Sequence, residues 1–308
     1  MKVPRFLRVI LWTTLILLLV FGIFIGSVGL YFSPKIQRTN DVVYGHRHGK
    51  DLLFDVAQPA RTNGAAIILL VSGGWKSPPH SFSPWTIAPL LRRGYTVFAV
   101  YHISQPEATV METVEDVNRA VRYIRHHAKD YGVDPQRFGV VGASAGGHLS
   151  LMLATRGGPG PVDASDPVDR ESSAVQAVGI FFPVTDLLNL GASTENPGDG
   201  GPPKHFIAAF GPQSTNLAVW KVTGREMSPI YYIHSNLPPT FIYHGDADTL
   251  VPLEQSRRYR EVAGKVGDNV KVVVQPKGQH GWPGMIWDLR RVADWFDQYL
   301  TRPADGTN

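Results

Sequence analysis

The apolar and polar positions split the chain near its start. Residues 9–32 are uncharged and mostly apolar, and as a helix they measure ~36 Å, enough to cross a bilayer. Lys2, Arg5 and Arg8 precede them, so the positive-inside rule predicts a cytoplasmic segment 1–8, a transmembrane signal anchor 9–32 and an extracytoplasmic remainder. Cleavage near Ser27-Val28-Gly29 is the competing reading, and it would leave the remainder secreted. Residues 33–40 are polar and read as a tether, and the polar 301–308 read as a tail.

Between these ends, short apolar runs alternate with amphipathic ones. Residues 41–47 and 51–57 flank His48-Gly49-Lys50 as a hairpin. Residues 65–71 and 95–101 are continuously apolar, as strands covered on both faces are, and a helix over 84–93 with Gly94 as its stop joins them. Val110, Val114, Val117, Val121 and Ile124 make one stripe on a helix over 109–130. Strands at 137–141, 174–182, 240–244 and 270–275 then alternate with helices at 145–155, 253–263 and 286–300. Right-handed crossovers make this a mostly parallel sheet with helices on both faces, one α/β domain over 41–300. Periodicity fails over 187–227, where Gly, Pro, Asn and Asp crowd residues 191–203; this reads as a small cap over the sheet's C-terminal edge. Phe206, Phe210 and Trp220 are its candidates for lining a pocket.

Composition narrows the function. With 43% hydrophobic and 18% charged residues the chain is globular, and a net charge of +4 with no basic run longer than pairs such as Arg92-Arg93 gives no nucleic-acid footprint. Cysteine is absent, which removes disulfides, thiolate metal sites and cysteine nucleophiles. His46 and His48 share a strand face and Asp163, Asp166 and Asp169 share a loop, but solvated surface groups are the commoner reading of both.

The chemistry concentrates at residues 138–148, Phe-Gly-Val-Val-Gly-Ala-Ser-Ala-Gly-Gly-His. An apolar run stops in a glycine-framed serine and turns into helix-forming sequence, which is the pattern of a nucleophile elbow at Ser144. A serine hydroxyl needs a base, and His280, in the loop after the last strand, supplies one; Asp248, just past the preceding strand, orients it. Asp246 is the rival carboxylate, and its place directly after Gly245 suits turn hydrogen bonds better. Ser72-Gly73-Gly74-Trp75 follows the strand over 65–71, where backbone amides complementing that of Ala145 are needed to hold an oxyanion.

Residues 41–300 resemble α/β-hydrolase esterases of the hormone-sensitive-lipase and bacterial feruloyl- and acetylxylan-esterase-like type. The likeness rests on Gly73-Gly74-Trp75, Pro106-Glu107-Ala108 leading to Glu115-Asp116, Asp134-Pro135 with Arg137, residues 142–148, Pro183-Val184-Thr185-Asp186, Ser228-Pro229-Ile230, residues 244–252 and residues 278–282. It implies an α/β-hydrolase fold and a serine esterase with Ser144, Asp248 and His280 as triad. It also implies Gly73, Gly74 and Ala145 as oxyanion donors, no metal or organic cofactor, and a small-molecule or carbohydrate ester as substrate. Two departures stand out. Val71-Ser72 replaces the family's His-Gly before Gly73-Gly74-Trp75, and Tyr101-His102 replaces its Asp-Tyr-Arg. The same fold and triad order also occur in prolyl-oligopeptidase-type peptidases, and a membrane-tethered binding protein without catalysis is the reading from another class.

Overall fold

The computed structural model describes residues 4–301. The segment 1–3 and the tail from 302, with Lys2 of the expected cytoplasmic segment, lie outside the described residues. Eight strands form one sheet: β1 (Ile36–Arg47), β2 (Lys50–Pro59), β3 (Ala66–Leu70), β4 (Thr96–Val100), β5 (Phe138–Ala143), β6 (Ala177–Phe181), β7 (Thr240–Gly245) and β8 (Val270–Gln275). The helices are α1 (Arg5–Phe32), α2 (Ala88–Leu91), α3 (Val110–His126), α4 (Ala145–Arg156), α5 (Pro167–Arg170), α6 (Leu217–Glu226), α7 (Glu254–Lys265) and α8 (Met285–Leu300). The strand order is β1-β2-β4-β3-β5-β6-β7-β8, antiparallel only at β1–β2 and β2–β4. This is the α/β-hydrolase fold.

Alternate residues of the central strands serve two cores, which is why those strands read as continuous apolar runs. Ile68, Phe98, Val140 and Ile180 pack with α3, α4 and α7, while Ile67, Val97, Val141 and Phe241 pack with α2 and α8. The six parallel strands β3 to β8 end at one edge, and the loops leaving that edge carry the candidate chemistry.

Three expectations need correcting. Residues 36–40, expected as tether, belong to β1, with Ile36 opposite Pro59 and Thr39 opposite Val56. An exposed edge strand is held by backbone pairing and leaves little apolar period to read. The cap, which showed no period, contains a 3₁₀ turn (Ile207–Phe210) and α6, started by the Asn216 side chain accepting from the Ala218 and Val219 amides. The stretch over 84–93 forms a 3₁₀ turn (Pro84–Ile87) and α2 in place of one regular helix.

Among the described residues α1 alone is long and apolar enough to cross a membrane. Its last turn is docked on the domain. Tyr31 stacks on Trp287 at 5.6 Å, Phe32 meets the same ring edge-on at 4.8 Å, and the Arg92 guanidinium donates to the Leu30 and Tyr31 carbonyls. The last carbonyls of a helix lack the donor four residues on, that of Leu30 accepting only the Ser33 cap amide at 3.3 Å besides, and a cation is favoured at that dipole end.

Candidate active site

Ser144 has φ +54°, a conformation that costs a non-glycine residue energy and turns the chain from β5 into α4 within one residue. The turn needs close packing on both sides. A Cβ on Gly142 would lie 2.4 Å from the Gly146 carbonyl oxygen, and one on Gly146 would lie 2.5 Å from that of Leu70. The serine hydroxyl therefore stands clear of the sheet, over the start of α4.

Ser144 Oγ lies 2.9 Å from His280 Nε2, and His280 Nδ1 lies 2.8 Å from Asp248 Oδ2. A carboxylate only accepts, so Nδ1 carries the proton and Nε2 is free to accept the serine hydroxyl. Asp248 is buried, and its Oδ1 accepts the Leu250 and Val251 amides at 3.0 and 2.9 Å. Burial pushes this carboxyl up, but hydrogen bonds from His244, His280 and the Val251 amide outweigh it and hold the group below the usual carboxylate range. Asp246 instead accepts the Lys277 amide at 2.6 Å, a turn contact.

Of the expected oxyanion amides, Gly73 is removed: its N–H donates to the Lys76 carbonyl at 3.0 Å. The Gly74 and Ala145 amides have no acceptor among the described residues, and both residues line one cleft with Ser144. Ala145 is also the first residue of α4, whose positive dipole end points into the cleft.

The cleft encloses about 450 Å³, mouth included. Leu187, Leu190, Pro203 and Phe206 of the cap and Trp75 make it apolar, while Glu195 is a carboxylate at its wall. Burial pushes the Glu195 carboxyl up, but hydrogen bonds from the His205 amide and Nδ1 outweigh it and lower its pKa. Phe206 thus lines the cleft as expected, whereas Phe210 and Trp220 pack beneath it, 5.1 Å apart.

Several neighbours were not singled out from sequence. His244 brings Nε2 within 3.5 Å of Asp248 Oδ2 while donating to the Val251 carbonyl at 2.7 Å, and the Phe182 ring lies 4.5 Å from that of His280. His148 accepts from Trp75 Nε1 at 3.2 Å and donates to the Met227 carbonyl at 2.6 Å, tying elbow, glycine loop and cap together. Burial depresses its pKa to about 4, so it stays neutral. The places of His148 beside the elbow glycines and of His244 at the start of residues 244–252 were the available signals; Phe182 lies next to a strand end with no local pattern. Elsewhere His46 and His48 pair with Asp51 and Glu112, and Asp166 and Asp169 pair with Arg119. No group of three metal-binding side chains occurs among the described residues.

A family model described as BD-FAE matches residues 54–262, about two thirds of the chain. The chain belongs to the BD-FAE family. Within its wider kin, the esterase LipQ of Mycobacterium tuberculosis is 30% identical over 72% of this chain and 52% of its own length. The chain spans about half the length of the curated relatives it matches. A truncated carbohydrate esterase from gut microbiota superposes with a TM-score of 0.69 at 25% identity, covering 86% of this chain and 97% of that one. Esterase 2 of Thermogutta terrifontis gives 0.62 at 26% identity, with 86% and 92% covered.

Proposed function

We propose that this chain is a serine carboxylic-ester hydrolase working through Ser144, His280 and Asp248. The observation that carries the reading is the 2.9 and 2.8 Å chain of contacts among these three groups at an apolar cleft. His280 Nε2 takes the hydroxyl proton as Ser144 Oγ bonds to the ester carbonyl carbon, and the Gly74 and Ala145 amides hold the resulting oxyanion. Collapse breaks the carbon–alkoxy bond, and His280 returns its proton to the departing alcohol. Water, deprotonated in turn by His280, then releases the acid and frees Ser144. Asp248 stabilises the imidazolium throughout.

The modest apolar cleft favours a short acyl group, and the structural likeness to a carbohydrate esterase supports a sugar as the alcohol. The apolar α1, with Arg5 and Arg8 in its first turns, supports a signal anchor holding the domain outside the cytoplasm. The test is hydrolysis of p-nitrophenyl esters of increasing chain length, and of a prolyl amide, by the detergent-solubilised full chain beside Ser144→Ala. Short esters should turn over and the variant should lose ~10³-fold or more. Cleavage of the amide alone would replace this reading by a peptidase, and a folded protein inert on both would refute catalysis.

A further inference from the structure

The two departures from the family pattern meet in space. Ser72, standing where the family has glycine, lies with its Oγ 2.9 Å from His102 Nε2, the residue just past the end of β4. His102 Nδ1 lies 2.8 Å from the Ile103 carbonyl, which only accepts, so Nδ1 bears the proton and Nε2 receives the Ser72 hydroxyl. The ring is buried, and burial lowers its pKa to about 4, which keeps this neutral tautomer at neutral pH.

The segment after β4 grips the glycine loop at further points. Gln105 donates its side-chain amide to the Gly74 carbonyl at 3.1 Å and its backbone amide to the Trp75 carbonyl at 3.0 Å. Ser104 Oγ accepts the Ser77 amide at 2.8 Å. From the other side the Ser72 carbonyl accepts the Gly146 amide of α4 at 3.2 Å. Ser72 is therefore clamped between the end of β4 and the helix that carries the nucleophile, two residues before the Gly74 amide. A glycine at 72 would offer His102 nothing to hold.

We propose that His102 is a positioning residue of the reaction, supplying from just past the end of β4 the imidazole that the loop itself lacks and holding Ser72 so that the Gly74 amide stays on the oxyanion. The inference rests on the esterase reading. Its function is geometric: an amide moved by a fraction of an ångström still lets substrate into the cleft but binds the tetrahedral state less well.

The test compares His102→Phe, His102→Gln, Ser72→Ala and the Phe/Ala double variant in the full chain, with Ser144→Ala alongside. Phenylalanine keeps the ring without an acceptor, and glutamine places an amide oxygen near the Nε2 position. Losing one oxyanion donor outright costs 10²–10³ in rate, so a displaced one should cost roughly 10- to 100-fold in kcat, with KM within about twofold. Affinity for a trifluoromethyl ketone, which forms the tetrahedral adduct, should fall in parallel. His102→Gln should recover most of the loss, and the double variant should be no worse than the poorer single one, because one contact is removed in each. Ser72→Ala, a smaller change, keeps the test sound if His102→Phe does not fold. Unchanged kcat in Ser72→Ala, additive losses, or no recovery with glutamine would overturn the proposal while Ser144→Ala remained inactive. Full activity in Ser144→Ala would instead remove the esterase reading, and this inference with it.

Discussion

Replacing Asp248 by asparagine separates the two candidate carboxylates with a nearly isosteric change. The new side chain has two orientations. With its oxygen at the Oδ1 position it keeps the Leu250 and Val251 amides, 3.0 and 2.9 Å away, and turns its NH₂ toward His280 Nδ1 at 2.8 Å. Reversed, it sets NH₂ against two backbone N–H groups, so the first orientation wins. The donor–donor conflict with His280 is then relieved by moving the ring proton to Nε2. That proton faces Ser144 Oγ at 2.9 Å, and the serine has no base. Loss of the correct tautomer should lower kcat by about 10⁴, or ~5 kcal/mol at 1.36 kcal/mol per decade. Asp246→Asn is the control: its amide oxygen can still accept the Lys277 amide at 2.6 Å, and kcat should stay within a few-fold. Steady-state hydrolysis of p-nitrophenyl acetate, with urea unfolding to show that both variants are folded, decides it. More than a tenth of wild-type kcat in Asp248→Asn, or an equal loss in Asp246→Asn, refutes the argument.

Two further outcomes follow from burial and close packing. His102 and His148 have pKa values depressed to about 4, so below ~6.5 the unfolded chain binds two protons that the folded chain refuses, and stability falls with acidification over that window at ~3 kcal/mol for each imidazole. Asp116, raised by burial to about 6, and Asp268, also raised by burial, take up protons in the folded state as the pH falls and offset part of this loss. Urea midpoints that are equal at pH 7 and pH 5 would contradict this. In Gly142→Ala the new Cβ would meet the Gly146 carbonyl oxygen at 2.4 Å, backbone against backbone, so stability should drop by ~2–3 kcal/mol with a loss of at least tenfold in kcat as Ser144 leaves His280; an unchanged unfolding midpoint would refute the close approach.

Much of the fold was legible because hydrophobic period records burial locally. The strand over 270–275 coincides with β8, and the stripe from Val110 to Ile124 marks the buried face of α3. The first residues of the edge strand β1, 36–40, and the cap helix α6 were missed because one is held by backbone pairing and the other packs through few side chains, chiefly Trp220. Docking of Tyr31 and Phe32 on Trp287 was equally hidden, since those residues are about 255 positions apart in the chain.

By itself the sequence determined the α/β architecture, the elbow at Ser144 and the supply of a histidine and two aspartates near strand ends, since each is a property of a short window. Only the tertiary structure decided which groups touch. Ser144 and His280 are 136 positions apart, and their 2.9 Å contact depends on where β5 and β8 end in a common edge. The same holds for the Gly73 amide bonded to the Lys76 carbonyl and for His102 closing on Ser72 across 30 positions. Hydrogen bonds act over about 3 Å and require aligned donors and acceptors, so their pairing is set by the packed sheet and its loops. Residue type records what chemistry is available; the fold selects which of it is used.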